Sequence, residues 1–198
     1  ARQMAHESTP TFRIAVVGFG VAGATSAFLL AEQGHEVHLF ERAPRVGPVG
    51  AGILLMPSGQ SVLRKLDLLD QVAARGEPIE RLFALTHRGH PLIDLPFGEI
   101  APGMCAYGLH RGDLFDALHA RVVAGDPRIH LDHEIVAREP EDDRVWLRDD
   151  QQRRHGPFDF VLAGDGARST LRTALGWERS VHEYEYGALW AIGPSEDV

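Results

Sequence analysis

Residues Gly18-Phe19-Gly20-Val21-Ala22-Gly23 carry the spacing G-x-G-x-x-G, and an acid, Glu41, follows 18 residues after Gly23. A set of this kind can hold a dinucleotide. Gly18 permits a tight turn, Gly20 lets the backbone approach a pyrophosphate, and Gly23 lets a helix pack closely on a strand. Ala22 falls in the first helical turn, whose unpaired N–H groups and positive potential favour phosphate. Glu41 can accept hydrogen bonds from ribose hydroxyls. An acid there disfavours a 2′-phosphate, and Arg42 beside it weakens that exclusion slightly, so NAD and FAD both stay open.

Three further groupings could meet the same kind of ligand. Gly164-Asp165-Gly166-Ala167-Arg168-Ser169 follows an apolar stretch, and Arg172 lies just beyond it. The two glycines let backbone approach a ligand, Asp165 can accept from a hydroxyl, and Arg172 can hold the loop or pair with phosphate. Gly50, Ala51 and Gly52, within Val49–Ile53, are a small-residue patch suited to a flat ring or a pyrophosphate. Arg111, in Leu109–Leu114, sits just before an expected helix, where a guanidinium could reach phosphate. Each of the last three has an ordinary structural explanation when taken alone.

The elements that must position these residues are partly visible in the pattern. Phe12–Val17 is a short apolar run that reads as a buried strand, Val21–Gln33 as a helix stopped by Gly34, and Glu36–Phe40 as a second strand. Together they make a βαβ unit with a parallel pair. Helices are expected over Ser58–Leu69, Asp113–Val123 and Ser169–Leu175. Arg81–Thr86 and Leu92–Leu95 read as a hairpin. Further strands are expected at Ala106–His110, Ile129–Glu139, Arg144–Arg148, Phe158–Ala163 and Glu183–Ile192, with an acidic turn at Pro140–Asp143.

Composition removes other classes. The 198 residues carry 20 Lys plus Arg against 28 Asp plus Glu, a net charge of −8, which argues against nucleic acid or an anionic membrane as main partner. Apolar residues at 44% exclude global disorder, and no apolar run is long enough for a transmembrane helix. Ala1–Pro10 lacks an apolar signal segment and reads as a polar tail. A single cysteine, Cys105, excludes an internal disulfide and fits a cytoplasmic setting. No metal site is expected. Among eleven histidines, the pairs His87/His90 and His130/His133 put their rings on opposite faces if they lie on strands, and no third ligand is near in sequence. Neither Ser58 nor Ser169 has the frame of a hydrolase nucleophile.

Taken in order, the four groupings resemble the single-component FAD-dependent aromatic hydroxylases, the flavin monooxygenases related to p-hydroxybenzoate and salicylate hydroxylase. The resemblance rests on G-x-G-x-x-G, "FERA", "VGAGI", the R-x-x-L segment at Arg111–Leu114 and "GDGARSTLR", from about Phe12 to Gly176. It implies an α/β fold, a Rossmann-like FAD-binding domain with a parallel sheet and flanking helices, plus β-rich fragments of a substrate domain. The FAD-binding part would be residues 11–78 and 107–178, after a tail of residues 1–10; residues 79–106 and 179–198 would be substrate-domain strands. It also implies hydroxylation of an aromatic or related small molecule with FAD, NAD(P)H as co-substrate and dioxygen. Glu41 would bind the adenosine ribose; Gly18, Gly20 and Gly23 the pyrophosphate. Arg111 would reach the phosphate or ribityl region, Gly52 would lie near the flavin, Gly164–Gly166 would support FAD and the nicotinamide path, and Val136 would touch the adenine. Family members run to nearly twice this length, with a further motif, G-D-A-A-H-x-x-x-P, that is absent here. A different flavin oxidoreductase, such as an isoprenoid reductase, and a non-catalytic FAD- or nucleotide-binding module therefore stand as alternatives. No catalytic acid or base is identified, and oligomeric state is left open.

Overall fold

The structure is a computed structural model and describes residues 10–47, 50–177 and 180–187. The chain divides into two compact units, one of residues 1–46 and 119–183, the other of residues 47–118 and 184–198.

The first unit opens with β1 (Arg13–Val17), α1 (Val21–Glu32) and β2 (Glu36–Phe40). Four of the five residues of each strand are buried, as expected where a parallel sheet is covered on both faces. On α1, Gly23, Ala24, Ala27 and Phe28 are buried at helical spacing.

The second unit begins with β3 (Gly52–Leu55), α2 (Pro57–Lys65), α3 (Leu69–Ala73) and β4 (Glu77–Ile79). The expected helix over Ser58–Leu69 therefore stops early, where Asp67 takes a φ of +54°. The hairpin β5 (Arg81–Leu85) and β6 (Pro91–Pro96) is present, tied by a bidentate Arg81–Asp94 pair at 2.7 and 2.8 Å. α4 (Phe97–Ile100) and β7 (Ala106–His110) follow, and β7 is the centre of an antiparallel sheet ordered β3-β7-β4. Neither β3 nor β4 carries a strand signal in the sequence; β4 contains Pro78, which an edge strand tolerates. α5 (Arg111–Ala124) begins two residues earlier than expected and runs from the second unit into the first.

Back in the first unit, β8 (Arg128–His130) joins the parallel sheet, while β9 (Ile135–Glu141), β10 (Arg144–Asp149) and β11 (Arg154–Phe158) form an antiparallel one. β12 (Phe160–Ala163) returns to the parallel sheet, whose order is β12-β1-β2-β8, and α6 (Thr170–Ala174) closes the description. Two expected strands are thus each two strands. Ile129–Glu139 is split between sheets at residues 131–134, and β9 continues to Glu141, so the turn is Asp142-Asp143 alone. Phe158–Ala163 breaks at Asp159, whose carboxylate accepts from the Arg13 N–H at 2.7 Å while its own N–H donates to the Arg13 carbonyl at 2.8 Å. Phe158 ends β11 opposite Val145, and Phe160 begins β12 opposite Ile14. Of the strand expected at Glu183–Ile192, residues 183–187 are not extended into a ladder, and 188–192 lie outside the described residues.

Ala15, Val17 and Phe40 of the parallel sheet pack with Ile135, Leu147 and Phe158 of the antiparallel one and with Leu171 of α6. Each large side chain buried here is worth about 1.5–3 kcal/mol. Where β1 turns into α1, the backbone leaves no room. A Cβ on Gly23 would lie 1.8 Å from the Gly18 carbonyl oxygen, and a Cβ on Gly18, whose φ is +98°, 2.5 Å from the Gly164 carbonyl oxygen. Gly20 has nothing within 4 Å of such an atom.

Gly23→Ala is expected to lower stability in urea unfolding by at least about 3 kcal/mol, because backbone and not a flexible side chain must move. Gly20→Ala should stay within about 1 kcal/mol of the parent.

Candidate functional site

The carboxyl ends of β1, β2 and β12 lie side by side, and the motif residues follow them directly: Gly18, Glu41 and Gly164-Asp165-Gly166. That is the edge of an open parallel sheet where ligands bind, because the strand order runs to both sides of β1, with β2 on one side and β12 on the other. A cleft of about 50 Å³ opens there, with Gly18, Glu41, Arg42, Asp165 and Arg168 among its lining.

The helix that starts at this edge is built to meet an anion. Gly20 is the N-cap of the 12-residue α1, and no side chain caps it. Its first-turn N–H groups are therefore available to a ligand, with the positive end of the helix behind them. Gly20 and Ala22 stand at the exposed start of this helix.

Glu41 does more than the sequence suggested. Its Oε2 accepts from the Phe19 N–H at 2.7 Å, inside the glycine loop, and its Oε1 from the Ala43 N–H at 2.9 Å. Its own N–H donates to the His130 carbonyl at 2.8 Å, and its carbonyl accepts from the His133 N–H at 3.0 Å. The acid thus fixes the loop after β1 to the end of β2. Each carboxylate oxygen keeps a further lone pair, so ribose hydroxyls can still be received.

Asp165 is placed differently. Oδ2 accepts from the Leu171 N–H at 3.3 Å, at the start of α6. Oδ1 is buried and has no hydrogen-bond partner among the described residues. A buried carboxylate oxygen in that state calls for a donor from beyond the described residues, a ribose or ribityl hydroxyl being of the right kind. Ser169 caps α6 by accepting from the Arg172 N–H at 3.0 Å, and Arg172 Nη2 donates to the Ala167 carbonyl at 2.7 Å. Of the two roles expected for Arg172, the structure shows it holding the loop.

In the second unit, Gly50, Ala51 and Gly52 are brought to Arg111. The Arg111 N–H donates to the Ala51 carbonyl at 2.8 Å, Gly52 pairs with His110, and a Cβ on Gly50 would lie 2.8 Å from Arg111 Nη1. Arg111 is the first residue of α5 and not the residue before a helix, and it is exposed. Val136 is half-buried on β9, one residue beyond Ile135, and is not among the cleft-lining residues; His133, Glu134 and Ile135 are. Those three were missed because residues 129–139 read as one continuous strand. Arg168 was visible inside the "GDGARS" motif but carried no assignment.

A glycine turn at an uncapped helix, a strand-end acid beside it and a second acid with an unpartnered oxygen define a dinucleotide-binding α/β domain. The chain belongs to the FAD binding domain family, which it matches over residues 11–192. It is 36% identical over 170 residues to the 3-amino-4-hydroxybenzoate 2-monooxygenase of Streptomyces cremeus, covering 82% of this chain and 42% of that protein. It is 32% identical over 166 residues to the salicylate hydroxylase of Pseudomonas putida, covering 81% and 37%. The solved structure of 2-methyl-3-hydroxypyridine-5-carboxylic acid oxygenase superposes with a TM-score of 0.71 at 28% identity, covering 85% of this chain and 43% of that one. The chain thus spans less than half the length of these relatives. Among the described residues no helix is long and apolar enough to cross a membrane.

Asp165→Asn retains the Leu171 contact and should leave stability within about 1 kcal/mol, while the loss of a charge-assisted hydrogen bond weakens FAD at least about tenfold. Glu41→Ala should do both kinds of harm, lowering stability by about 1–3 kcal/mol as two loop N–H groups lose their acceptor, and weakening FAD as well. Urea unfolding beside FAD titration by fluorescence quenching separates the two effects.

Proposed function

We propose that this chain is the FAD-holding part of a monooxygenase that hydroxylates a small aromatic substrate with NAD(P)H and dioxygen. The observation that carries the reading is Asp165, a buried carboxylate oxygen without a partner among the described residues, at the carboxyl end of β12 and next to the glycine turn. It supports a hydroxyl-bearing cofactor in this cleft. The names of the relatives, which describe monooxygenases of hydroxylated rings bearing a carboxylate or a pyridine nitrogen, support the activity and the substrate class.

In this reading the first-turn N–H groups of α1 receive the pyrophosphate, and Glu41 and Asp165 receive hydroxyls. Arg42 and Arg168, at the cleft, offset the charge of the acids beside the phosphates. We assign Arg111, with the Gly50–Gly52 turn, to the phosphate or ribityl region. The bound flavin supplies electron transfer from NAD(P)H and activation of dioxygen, one oxygen atom entering the ring and the other leaving as water.

The test starts from the visible spectrum of the purified 198-residue chain. Flavin bands that survive desalting, or that follow incubation with FAD, are expected; a chain that stays colourless overturns the cofactor assignment for this chain. NAD(P)H oxidation is then followed with salicylate, 3-amino-4-hydroxybenzoate and 6-hydroxynicotinate. A hydroxylated product supports the monooxygenase reading. A yellow protein that gives no oxygenated product with any of them favours the non-catalytic module.

A further inference from the structure

Four histidines gather at one edge of the first unit: His38 on β2, His130 at the end of β8, His133 in the β8–β9 connection and His155 on β11. Ring centroids are 5.2 Å apart for His38–His130, 5.7 Å for His130–His133 and 5.1 Å for His133–His155. One end of the row is closed within itself, since His38 bridges Glu36 at 3.1 Å and His130 at 3.0 Å. At the other end His133 lines the cleft, while Asp149 and His155 have no part in the dinucleotide reading. There His133, Asp149 and His155 each bring a donor atom within 4.8 Å of the others.

The chemistry of these donors is specific. Asp149, at the end of β10, is fully buried. Burial disfavours its charge, but hydrogen bonds from His155 and Arg153 outweigh that and hold its carboxyl at about 2. His155 Nε2 lies 2.9 Å from Asp149 Oδ2, with a proton between them. His133 Nδ1 lies 2.6 Å from the Leu131 carbonyl, a contact that requires the proton on Nδ1 and leaves the lone pair on Nε2. An imidazole fixed through one nitrogen by a carbonyl is how proteins orient the other nitrogen as a metal ligand.

We propose that His133, Asp149 and His155 form a site for a divalent first-row transition ion, Zn²⁺ being the natural probe, which takes the place of the proton shared by Asp149 and His155. That proton moves to His155 Nδ1, so protons balance without loss. Two nitrogens and one carboxylate suit Zn²⁺, Co²⁺ or Ni²⁺, whereas Mg²⁺ and Ca²⁺ want more oxygens. Arg153, whose Nε is 2.6 Å from Asp149 Oδ2, already offsets part of the carboxylate charge, so the site is one of moderate strength. It also touches the cleft, since His133 is the residue whose N–H holds the Glu41 carbonyl. The sequence shows no third ligand near the pair His130/His133, and β10 and β11 supply Asp149 and His155, which the spacing does not show.

Calorimetric titration of the 198-residue chain with Zn²⁺ is expected to give one saturable site and a raised unfolding temperature, and Co²⁺ to give visible d–d bands. His133→Ala, in a half-buried connection, should weaken Zn²⁺ at least tenfold, as should His155→Ala. The double variant His87→Ala/His90→Ala, in the exposed hairpin turn, should bind as the parent does. Absence of saturable Zn²⁺ binding, or binding that survives in His133→Ala, would overturn the proposal. If His155→Ala fails to fold, His133→Ala and the Co²⁺ spectrum of the parent decide.

Discussion

Three pieces of backbone meet at the top of the parallel sheet with no side chain between them. The carbonyl of Gly18 occupies the place a Cβ of Gly23 would take, and the carbonyl of Gly164 the place a Cβ of Gly18 would take. This contact sets how closely α1 lies on β1 and how β12 is aligned beside it. Everything the cleft offers follows from that closeness. The start of α1 is uncapped at the sheet edge, Glu41 reaches back from β2 to the Phe19 N–H, and Asp165 emerges where its Oδ1 meets no donor among the described residues.

The same residues therefore serve fold and ligand, but in different proportions. Gly23 is needed for the close packing of helix on strand, while Gly20 faces open space. Glu41 is divided, its two oxygens already holding the loop while each retains a lone pair. Arg172, which looked equally suited to phosphate, is taken up by the Ala167 carbonyl. A motif names the residue types that a site requires; only the coordinates say which of them is left over for binding.

How much could be read from the chain depends on how local the cause was. The βαβ start was legible because strand, glycine turn and helix lie within one continuous stretch and each has its own period. The splits at residues 131–134 and at Asp159 were not, because the apolar pattern runs on across them while the backbone changes sheet. Edge strands containing Pro78 and Pro157 were missed for the opposite reason, since proline argues against a strand until its place at an edge is known. The cleft wall at His133–Ile135 and the meeting of His133 with Asp149 and His155 lie beyond any local pattern, because they depend on how β9, β10 and β11 pair.

β1, the first described strand, is laid against β12, the last, with Ile14 opposite Phe160. Pairings of such long sequence separation are slow to form, because loop closure must be met before the contact rewards it. The glycine turn therefore takes its final shape late, after nearly the whole described chain has been made and β12 has docked. Until then one edge of β1 is an open template for another chain. Substitutions that delay this docking will reveal themselves as poor yield of folded protein, even where the finished domain is as stable as the parent.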